Sequence, residues 1–293
     1  MIVRKRRKHA IIGYLFFLPF AIFFIIFRLI PFYNAVKLIF YKWDILGTPK
    51  FVGFRNFKKM FSDPTFWSSL WHTFYFTILV VPPIVILAFL IAILINGKVH
   101  FKNLLRSAFY LPFTLSISVV CLTWGMIYSP FFGIFAQIFK FFGLKPINWL
   151  GDPVWAMPAI AITTIWWTIG FPIILYIAGL QQIPSSYYEA ADLDGASGWQ
   201  KMFFITMPLL KRTHSLVIVM QILASLQIFG QVFIMTNGGP AGKTRVLLQY
   251  VYEQGFRYFK MGYAQAIVFI LFVIMLVFSY FQIRLMMGKE EVI

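Results

Sequence analysis

The chain is dominated by long apolar runs that few polar residues interrupt. Each run is about 20 residues long, and about 20 helical residues cover the ~30 Å hydrocarbon layer of a bilayer. Strands of a membrane barrel would instead alternate apolar and polar residues over about 10 positions. The pattern predicts an all-α integral membrane protein, a single transmembrane domain over residues 1–293, with six spans at about 11–30, 74–95, 107–128, 156–175, 216–236 and 263–285.

A basic cluster at residues 4–8 precedes the first run and resembles the start of a signal peptide. The run from Ile11 to Ile30 is longer than the roughly 7–15 apolar residues of a signal sequence, and no Ala-x-Ala-like cleavage site follows it. We therefore expect a retained first span. Counted together with this cluster, the basic residues are nearly balanced between the two sides, so the totals do not decide the orientation. Because the segment before the first span often dominates, the cluster predicts both termini in the cytoplasm.

Composition supports a membrane protein and argues against nucleic-acid binding. Of the 293 residues, 60% are hydrophobic and 12% are charged, whereas a soluble domain has about 25% charged residues. The 26 basic and 9 acidic residues give a net charge of +17. Because the basic residues lie in loops beside the spans, they suit anionic lipid headgroups better than nucleic acid.

The sequence contains no pattern for catalysis, a metal or a cofactor. Residues 237–244 resemble a phosphate-binding loop, but they begin with Asn237, contain Pro240 and follow a membrane helix instead of a strand. None of the nine acidic residues falls within a predicted span, which argues against proton coupling. Any uphill transport would therefore need energy from a partner. The histidines lie in separate segments without metal-ligand spacing, at His9, His72, His100 and His214.

Residues 184–208 form the longest polar connection that this orientation places in the cytoplasm. Ser186 with Glu189, and Ser197 with Gln200, both match the spacing of a capping box. In that motif the hydroxyl and the longer side chain each bond a backbone N–H that the helix leaves free. The loop is therefore predicted to fold as two short helices.

Gly195 lies between these two helices, where glycine adopts the left-handed conformation at little cost, and Pro208 is expected to end the second helix. Physical reasoning leaves two interpretations open: a helical hairpin packed on the membrane surface, with Glu189 as a cap, or a docking surface for another protein. The second helix would present a mostly apolar face, formed by Trp199, Met202, Phe203 and Thr206.

The loop reads Glu189-Ala190-Ala191, then Gly195 and Pro208, and residues 235–240 read Met-Thr-Asn-Gly-Gly-Pro. Together with residues 51–57, these motifs resemble the EAA loop and its companion motifs in permease subunits of binding-protein-dependent ABC importers. The resemblance covers essentially the whole chain. It is greatest for the carbohydrate-uptake branch, the maltose and glycerol-phosphate type.

This resemblance implies a multi-pass subunit of a bacterial or archaeal cell (inner) membrane. It implies a second, similar permease, two ATPase subunits that bind the ATP, and an extracytoplasmic binding protein that delivers a sugar. ATP binding would close the ATPases and turn the pathway outward through the loop. The coupling residues implied are Glu189, Ala190, Ala191, Asp194, Gly195 and Pro208.

In this branch the sugar site lies on the helix before the Asn-Gly-Gly-Pro turn. That helix is unusually polar for a lipid-embedded segment: Gln221 and Ser225 share one face at i, i+4, and Gln227 and Gln231 share another. Hydrogen bonding between helices, worth about 0.6 kcal/mol per contact, is the alternative role. Two tryptophans of the fourth span could stack on a sugar ring or simply fill space. The candidate pathway residues are Gln221, Ser225, Gln227, Trp166 and Trp167.

The sequence also permits two functions of other classes. One is an ion-coupled secondary transporter, because the lack of acidic residues in the spans argues only against proton coupling. The other is a membrane scaffold whose cytoplasmic hairpin binds a signalling partner. A requirement for ATP and a binding protein would separate the importer from both.

Overall fold

A computed structural model describes residues 14–44, 47–97 and 100–287 of the chain. Within these ranges the chain is mostly helical, and the regular strands are two short antiparallel segments, β1 (Tyr41–Lys42) and β2 (Lys50–Phe51). The prediction of a mostly helical protein is therefore confirmed. The start of the predicted first span, residues 11–13, lies outside the described residues.

The helices alternate between long apolar segments and short connecting ones. In the described ranges they are, in chain order, α1 (Tyr14–Leu38), α2 (Arg55–Phe61), α3 (Pro64–Asn96), α4 (Lys102–Tyr110), α5 (Ile117–Ile127), α6 (Ile134–Phe141), α7 (Ala156–Thr168), α8 (Gly170–Leu180), α9 (Ser185–Leu193), α10 (Gly198–Leu209), α11 (Lys211–Leu226), α12 (Gly230–Met235), α13 (Leu247–Tyr252) and α14 (Met261–Met287).

Three of these helices are long and apolar enough to cross a membrane by themselves: α1, α3 and residues Met261–Arg284 of α14. Three bent pairs meet the same criterion only when both helices are counted together. The bends are 97° between Lys102–Thr114 and α5, 46° between α7 and α8, and 70° between α10 and α11. By length and composition, the described part of the chain thus has three to six membrane-spanning segments.

The bend after α4 occurs at residues that local chemistry prevents from continuing a helix. After α4, Pro112 lies in a short 3₁₀ turn and Leu115 is extended, with ψ of 148°. Ser116 then starts α5 as its cap, its Oγ accepting a hydrogen bond from the Val119 N–H at 3.4 Å. The predicted span 107–128 is consequently not one straight helix.

The chain divides into two compact units, and the smaller one comprises the described residues up to 63 together with residues 251–270. In this unit the buried Asn56 side chain donates hydrogen bonds to the carbonyl oxygens of Ile39 and Tyr41, at 2.7 and 3.0 Å. Gly262 meets the same segment, because a Cβ there would collide with the Tyr41 oxygen. Helix α14 therefore begins directly against the end of α1.

The larger unit, residues 64–250 and 271–287 of the described chain, is organised around α3. One half of α3 packs against α8 and α11 in a core that includes Phe89 and Tyr176, whose rings lie 5.6 Å apart. The other half packs against α7 in a second core that includes Phe76 and Ile160. These two cores hold the helices that carry the candidate site residues.

Gly170 is predicted to be essential for the junction of α7 and α8. A Cβ at this position would collide with the backbone oxygen of Phe109, and a backbone atom cannot move aside as a side-chain tip can. Gly170→Ala should therefore lower the free energy of unfolding by about 1–3 kcal/mol, the usual cost of overpacking. Thermal unfolding in detergent measures this change.

Gly125→Ala is the matched control, because Gly125 also lies in a helix but has open space where the Cβ would be. The control should gain about 0.5–1 kcal/mol, since alanine loses less backbone entropy than glycine on forming a helix. Equal effects of the two substitutions would contradict the close approach at Gly170.

Candidate functional site

The first candidate site is the polar loop, called here the elbow and defined as residues 184–209. Its first arm, α9, ends in a Schellman motif: the Ala196 N–H bonds the Ala191 oxygen at 2.9 Å, and the Gly195 N–H bonds the Asp192 oxygen at 3.1 Å. Gly195 has φ of +72°, a conformation that other residues adopt only with strain. The predicted helix–Gly–helix form is therefore confirmed.

The second arm, α10, begins with the predicted capping box. The Gln200 N–H donates to Ser197 Oγ at 3.3 Å, and the Ser197 N–H donates to Gln200 Oε1 at 2.7 Å. Two N–H groups that the helix start leaves free are thus satisfied by side chains three residues apart. The prediction for this pair is confirmed.

The other capping box, at Ser186 and Glu189, was a wrong prediction. Helix α9 starts at Ser185 with Pro184 as its cap residue and without a side-chain cap bond. Ser186 is consequently the second residue of the helix. A capping box requires its serine at the cap position, just before the first helical residue. The Glu189 side chain is exposed and makes no hydrogen bond or ion pair within the described chain, so it is available to a partner.

Pro208 does not end the second arm, contrary to the prediction. Residues Met202–Thr206 form a wider π-helical turn, and the Met207 N–H bonds the Met202 oxygen. Pro208 follows this wider turn inside the same helix, where its missing N–H removes one intrahelical hydrogen bond. The arm continues to Leu209 before the chain turns by 70° into α11.

Two contacts join the arms of the elbow. Asp192 on α9 forms an ion pair with Lys201 on α10, and the Tyr188 hydroxyl lies 2.9 Å from Thr206 Oγ1. Because both contacts run from one arm to the other, they hold the angle between them.

The surface of the elbow combines small, acidic and large apolar side chains. Glu189, Ala190 and Asp194 are exposed, whereas Ala191 is 9% exposed and belongs to the inner face. Three large apolar side chains also lie in the open, with exposed fractions of 91% for Leu193, 79% for Phe204 and 69% for Trp199. Exposed apolar groups in this number are typical of a protein interface.

The second candidate site is a cavity of about 320 Å³ in the larger unit. Helices α3, α7, α8, α11 and α12 contribute to its wall, as do the turn after α4 and the break after α11. The residues that line it are Phe76, Val80, Phe113, Thr164, Trp167, Thr168, Phe171, Met220, Gln221, Ala224, Ser225, Ile228 and Gln231.

Three of the predicted pathway residues, Trp167, Gln221 and Ser225, line this cavity together. The other two lie elsewhere. Gln227 is exposed and its amide donates to the Leu223 oxygen at 3.0 Å, while the Trp166 ring packs against Trp124 at 5.5 Å. The structure thus separates the predicted set into a group around one cavity and two residues outside it.

The predicted pairing of Gln227 with Gln231 on one helical face is wrong. Helix α11 ends at Leu226, and Gln231 belongs to α12, which begins at Gly230. The break turns the Gln231 side chain toward the cavity that Gln221 lines. Gly230 within an otherwise apolar helical run was the signal in the sequence for this break.

The polar groups of the cavity differ in whether they already have partners. The hydroxyls of Thr164 and Thr168 bond the carbonyl four residues earlier at 2.8 Å, and Ser225 Oγ lies 3.0 Å from Thr77 Oγ1. In contrast, Gln221 and Gln231 make no side-chain hydrogen bond within the described ranges. The Trp167 indole N–H already donates to the Leu115 oxygen at 3.3 Å, so the cavity offers two amides and the face of an indole ring to a small polar ligand.

Among residues 14–44, 47–97 and 100–287, no three His, Cys, Asp or Glu side chains lie close enough to hold a metal ion. The candidate sites are thus built from amides, hydroxyls, aromatic rings and the helix elbow.

Comparison with known proteins gives a consistent result. Residues 60–285 match the family described as binding-protein-dependent transport system inner membrane component. The chain is 32% identical over 290 residues to the probable ABC transporter permease protein YurN of Bacillus subtilis, covering 97% of this chain and 99% of that protein. It is 31% identical to the trehalose/maltose transport system permease protein MalF of Thermococcus litoralis, covering 94% of each chain.

The fold is also similar to that of a solved structure. A chain of a bacterial alginate ABC transporter, in complex with its alginate pentasaccharide-bound periplasmic protein, superposes with a TM-score of 0.83. The sequence identity is 25%, and the match covers 95% of this chain and 94% of that one.

A double-mutant cycle on Asp192→Asn and Lys201→Gln tests the link between the elbow arms. We expect a coupling energy of about 0.5–1 kcal/mol in unfolding experiments, because Asp192 is largely exposed and solvent screens the pair. Raising the salt concentration should reduce it. Additive single-mutant effects would show that the ion pair does not hold the arms.

Proposed function

Because the chain belongs to the family of binding-protein-dependent transport system inner membrane components, we propose that it is the permease subunit of an ATP-driven importer for a sugar or sugar-like solute. The observation that carries the proposal is the cavity in which the free amides of Gln221 and Gln231 and the ring of Trp167 lie together. A neutral sugar needs hydrogen-bonding groups for its hydroxyls and a flat face for stacking. Relatives that transport trehalose and maltose and a structurally similar alginate importer support this substrate class.

The proposed topology has six spans and both termini in the cytoplasm, with residues 1–293 as one permease domain. The spans are α1, α3, α14 and three broken segments, α4–α5, α7–α8 and α11–α12. The breaks fit this arrangement, because helices inside a membrane can be interrupted where protein or a cavity meets the freed backbone groups. The basic cluster before α1 supports the orientation.

The elbow is proposed to dock onto a separate ATPase subunit. Glu189, Ala190 and Asp194 would form the contact, Ala191 its inner support and Gly195 the bend, with Pro208 near the junction to α11. The free carboxylate of Glu189 and the bare ring of Trp199 suit a groove that is partly polar and partly apolar. Movement of the ATPase would reach the cavity through α11, which carries Gln221.

The proposed assembly contains a second permease, two ATPase subunits and an extracytoplasmic binding protein, surrounded by membrane lipid. The permease itself is proposed to be no enzyme and to need no cofactor, because ATP is bound and hydrolysed by the ATPases. A family defined by dependence on a binding protein supports this composition.

Gln221→Ala is predicted to lower the maximal rate of sugar uptake by roughly fivefold. One lost hydrogen bond to a hydroxyl costs on the order of 1 kcal/mol. Gln227→Ala is the matched control, because Gln227 lies in the same region but outside the cavity, and it should transport normally. Uptake of radiolabelled sugar in proteoliposomes containing the whole importer measures both. Equal rates for the two variants would reduce Gln221 to a structural residue.

Gly195→Pro is predicted to abolish the stimulation of ATP hydrolysis by the sugar-loaded binding protein. Proline fixes φ near −65°, whereas Gly195 has φ of +72°, so the elbow cannot form. Gly198→Ala should retain stimulation, because open space surrounds Gly198. Membrane fractionation should show that both variants insert, so that a loss of stimulation is not caused by a loss of the protein from the membrane.

Two outcomes would contradict the proposed function. Normal stimulation of the Gly195→Pro variant would make the elbow a passive hairpin. Uptake by the chain alone, driven by an ion gradient without ATP, would identify a secondary transporter instead.

A further inference from the structure

The smaller unit contains a second large cavity, of about 700 Å³, that the importer mechanism does not use. It is called here the basic pocket, because four cationic side chains and one carboxylate lie in its wall: Lys42, Arg55, Lys59, Lys260 and Asp44. An excess of positive charge in a concave site attracts an anion.

The positive charge of the pocket is poorly balanced by the protein. Lys42 lies 3.8 Å from Asp44, and both side chains are exposed. Arg55, Lys59 and Lys260 form no salt bridge within the described ranges. The Lys59 and Lys260 ammonium groups instead lie over the rings of Tyr263 and Tyr258, at 4.4 and 5.4 Å, and ring faces balance a cation less well than a carboxylate does. Partial burial, followed by the charge of Lys260, lowers the pKa of Lys59. A bound anion would relieve this repulsion.

The backbone adds to the same field. Gly262 and Tyr263 line the pocket and are the second and third residues of α14. The first N–H groups of a helix lack an intrahelical acceptor, and the helix dipole adds partial positive charge there. A helix start combined with several lysines and arginines is the usual protein environment for a phosphate group.

The basic pocket lies near the ends of two helices that are long enough to cross a membrane, where the phosphates of lipid headgroups are available. Helix α1 ends at Leu38, four residues before Lys42, and the apolar part of α14 starts at Met261, next to Lys260. Both helices are long enough to cross a bilayer, so their ends lie at the level of the lipid headgroups. Trp43 also lines the pocket, and tryptophan is enriched at this level.

We propose that the basic pocket binds the headgroup phosphate of an anionic phospholipid, with Arg55, Lys59 and Lys260 as the phosphate ligands. The acyl chains would follow the apolar surfaces of α1 and α14. The bound lipid would thereby tie the end of the first span to the start of the last. The importer's sugar is not required for this binding.

Native mass spectrometry of the complete importer, titrated with phosphatidylglycerol or phosphatidylcholine, tests the proposal. Wild-type protein should retain phosphatidylglycerol preferentially. The Lys59→Gln/Lys260→Gln variant should bind it roughly thirtyfold more weakly, the combined effect expected for two basic side chains. The Lys140→Gln/Lys145→Gln variant loses the same charge from exposed residues outside the pocket and should bind like the wild type.

Four results would overturn the proposal. Equal binding of phosphatidylglycerol by the two double variants would show that general surface charge, and not the pocket, binds the lipid. Equal retention of phosphatidylglycerol and phosphatidylcholine would show that there is no preference for an anionic lipid. Displacement of the lipid by millimolar inorganic phosphate would assign the pocket to a soluble anion. Unchanged lipid binding with weaker docking of the binding protein would likewise assign the pocket to an acidic face of that protein. Equal unfolding temperatures of the variants confirm that folding is intact.

Discussion

The chain depends on one constraint: backbone N–H and C=O groups inside a bilayer must be hydrogen-bonded, because no water is there to satisfy them. Unbroken helices without proline meet this condition without help, as α14 does over 27 residues. Every break needs another group in its place. The break between α4 and α5 has a serine cap, and the break after Leu226 lies beside the cavity. Interruptions in this protein therefore coincide with the places where polar chemistry is concentrated.

This constraint also links the cavity to the elbow. Helix α11 begins immediately after the elbow and ends at the break that brings Gln231 to the cavity. It is a continuous helix of 16 residues between the elbow and the cavity. Under the proposed function, this helix would carry movement of the elbow to the cavity.

Local features of the elbow could be predicted from the sequence, because their causes lie within a few residues. Ser197 and Gln200 are three residues apart, and Gly195 occupies a position where only glycine is free of strain. The failures were also local, but they involved competing signals. Pro184, and not Ser186, is the cap residue at the start of α9. The π-helical turn before Pro208 allows α10 to continue beyond that proline. The spacing of residues in the sequence does not decide which of two neighbouring residues will start or end a helix.

The cavity could be predicted only in part. Gln221, Ser225 and Trp167 were found because polar and aromatic residues are conspicuous in an apolar helix. Gln231 lines the same cavity because the helix is interrupted after Leu226, and helical periodicity does not predict that interruption. Phe113 lines it from the turn after α4, more than a hundred residues away in the sequence. Such residues are brought together by tertiary packing, which a single sequence does not encode in any local pattern.

The exposed side chains of the elbow also bear on the life of the protein in the cell. Leu193, Phe204 and Trp199 are largely exposed in this chain by itself. Under the proposed function, partner subunits would cover these side chains. A copy without its partners would then keep an apolar patch that chaperones and proteases can recognise, which would mark that copy for removal.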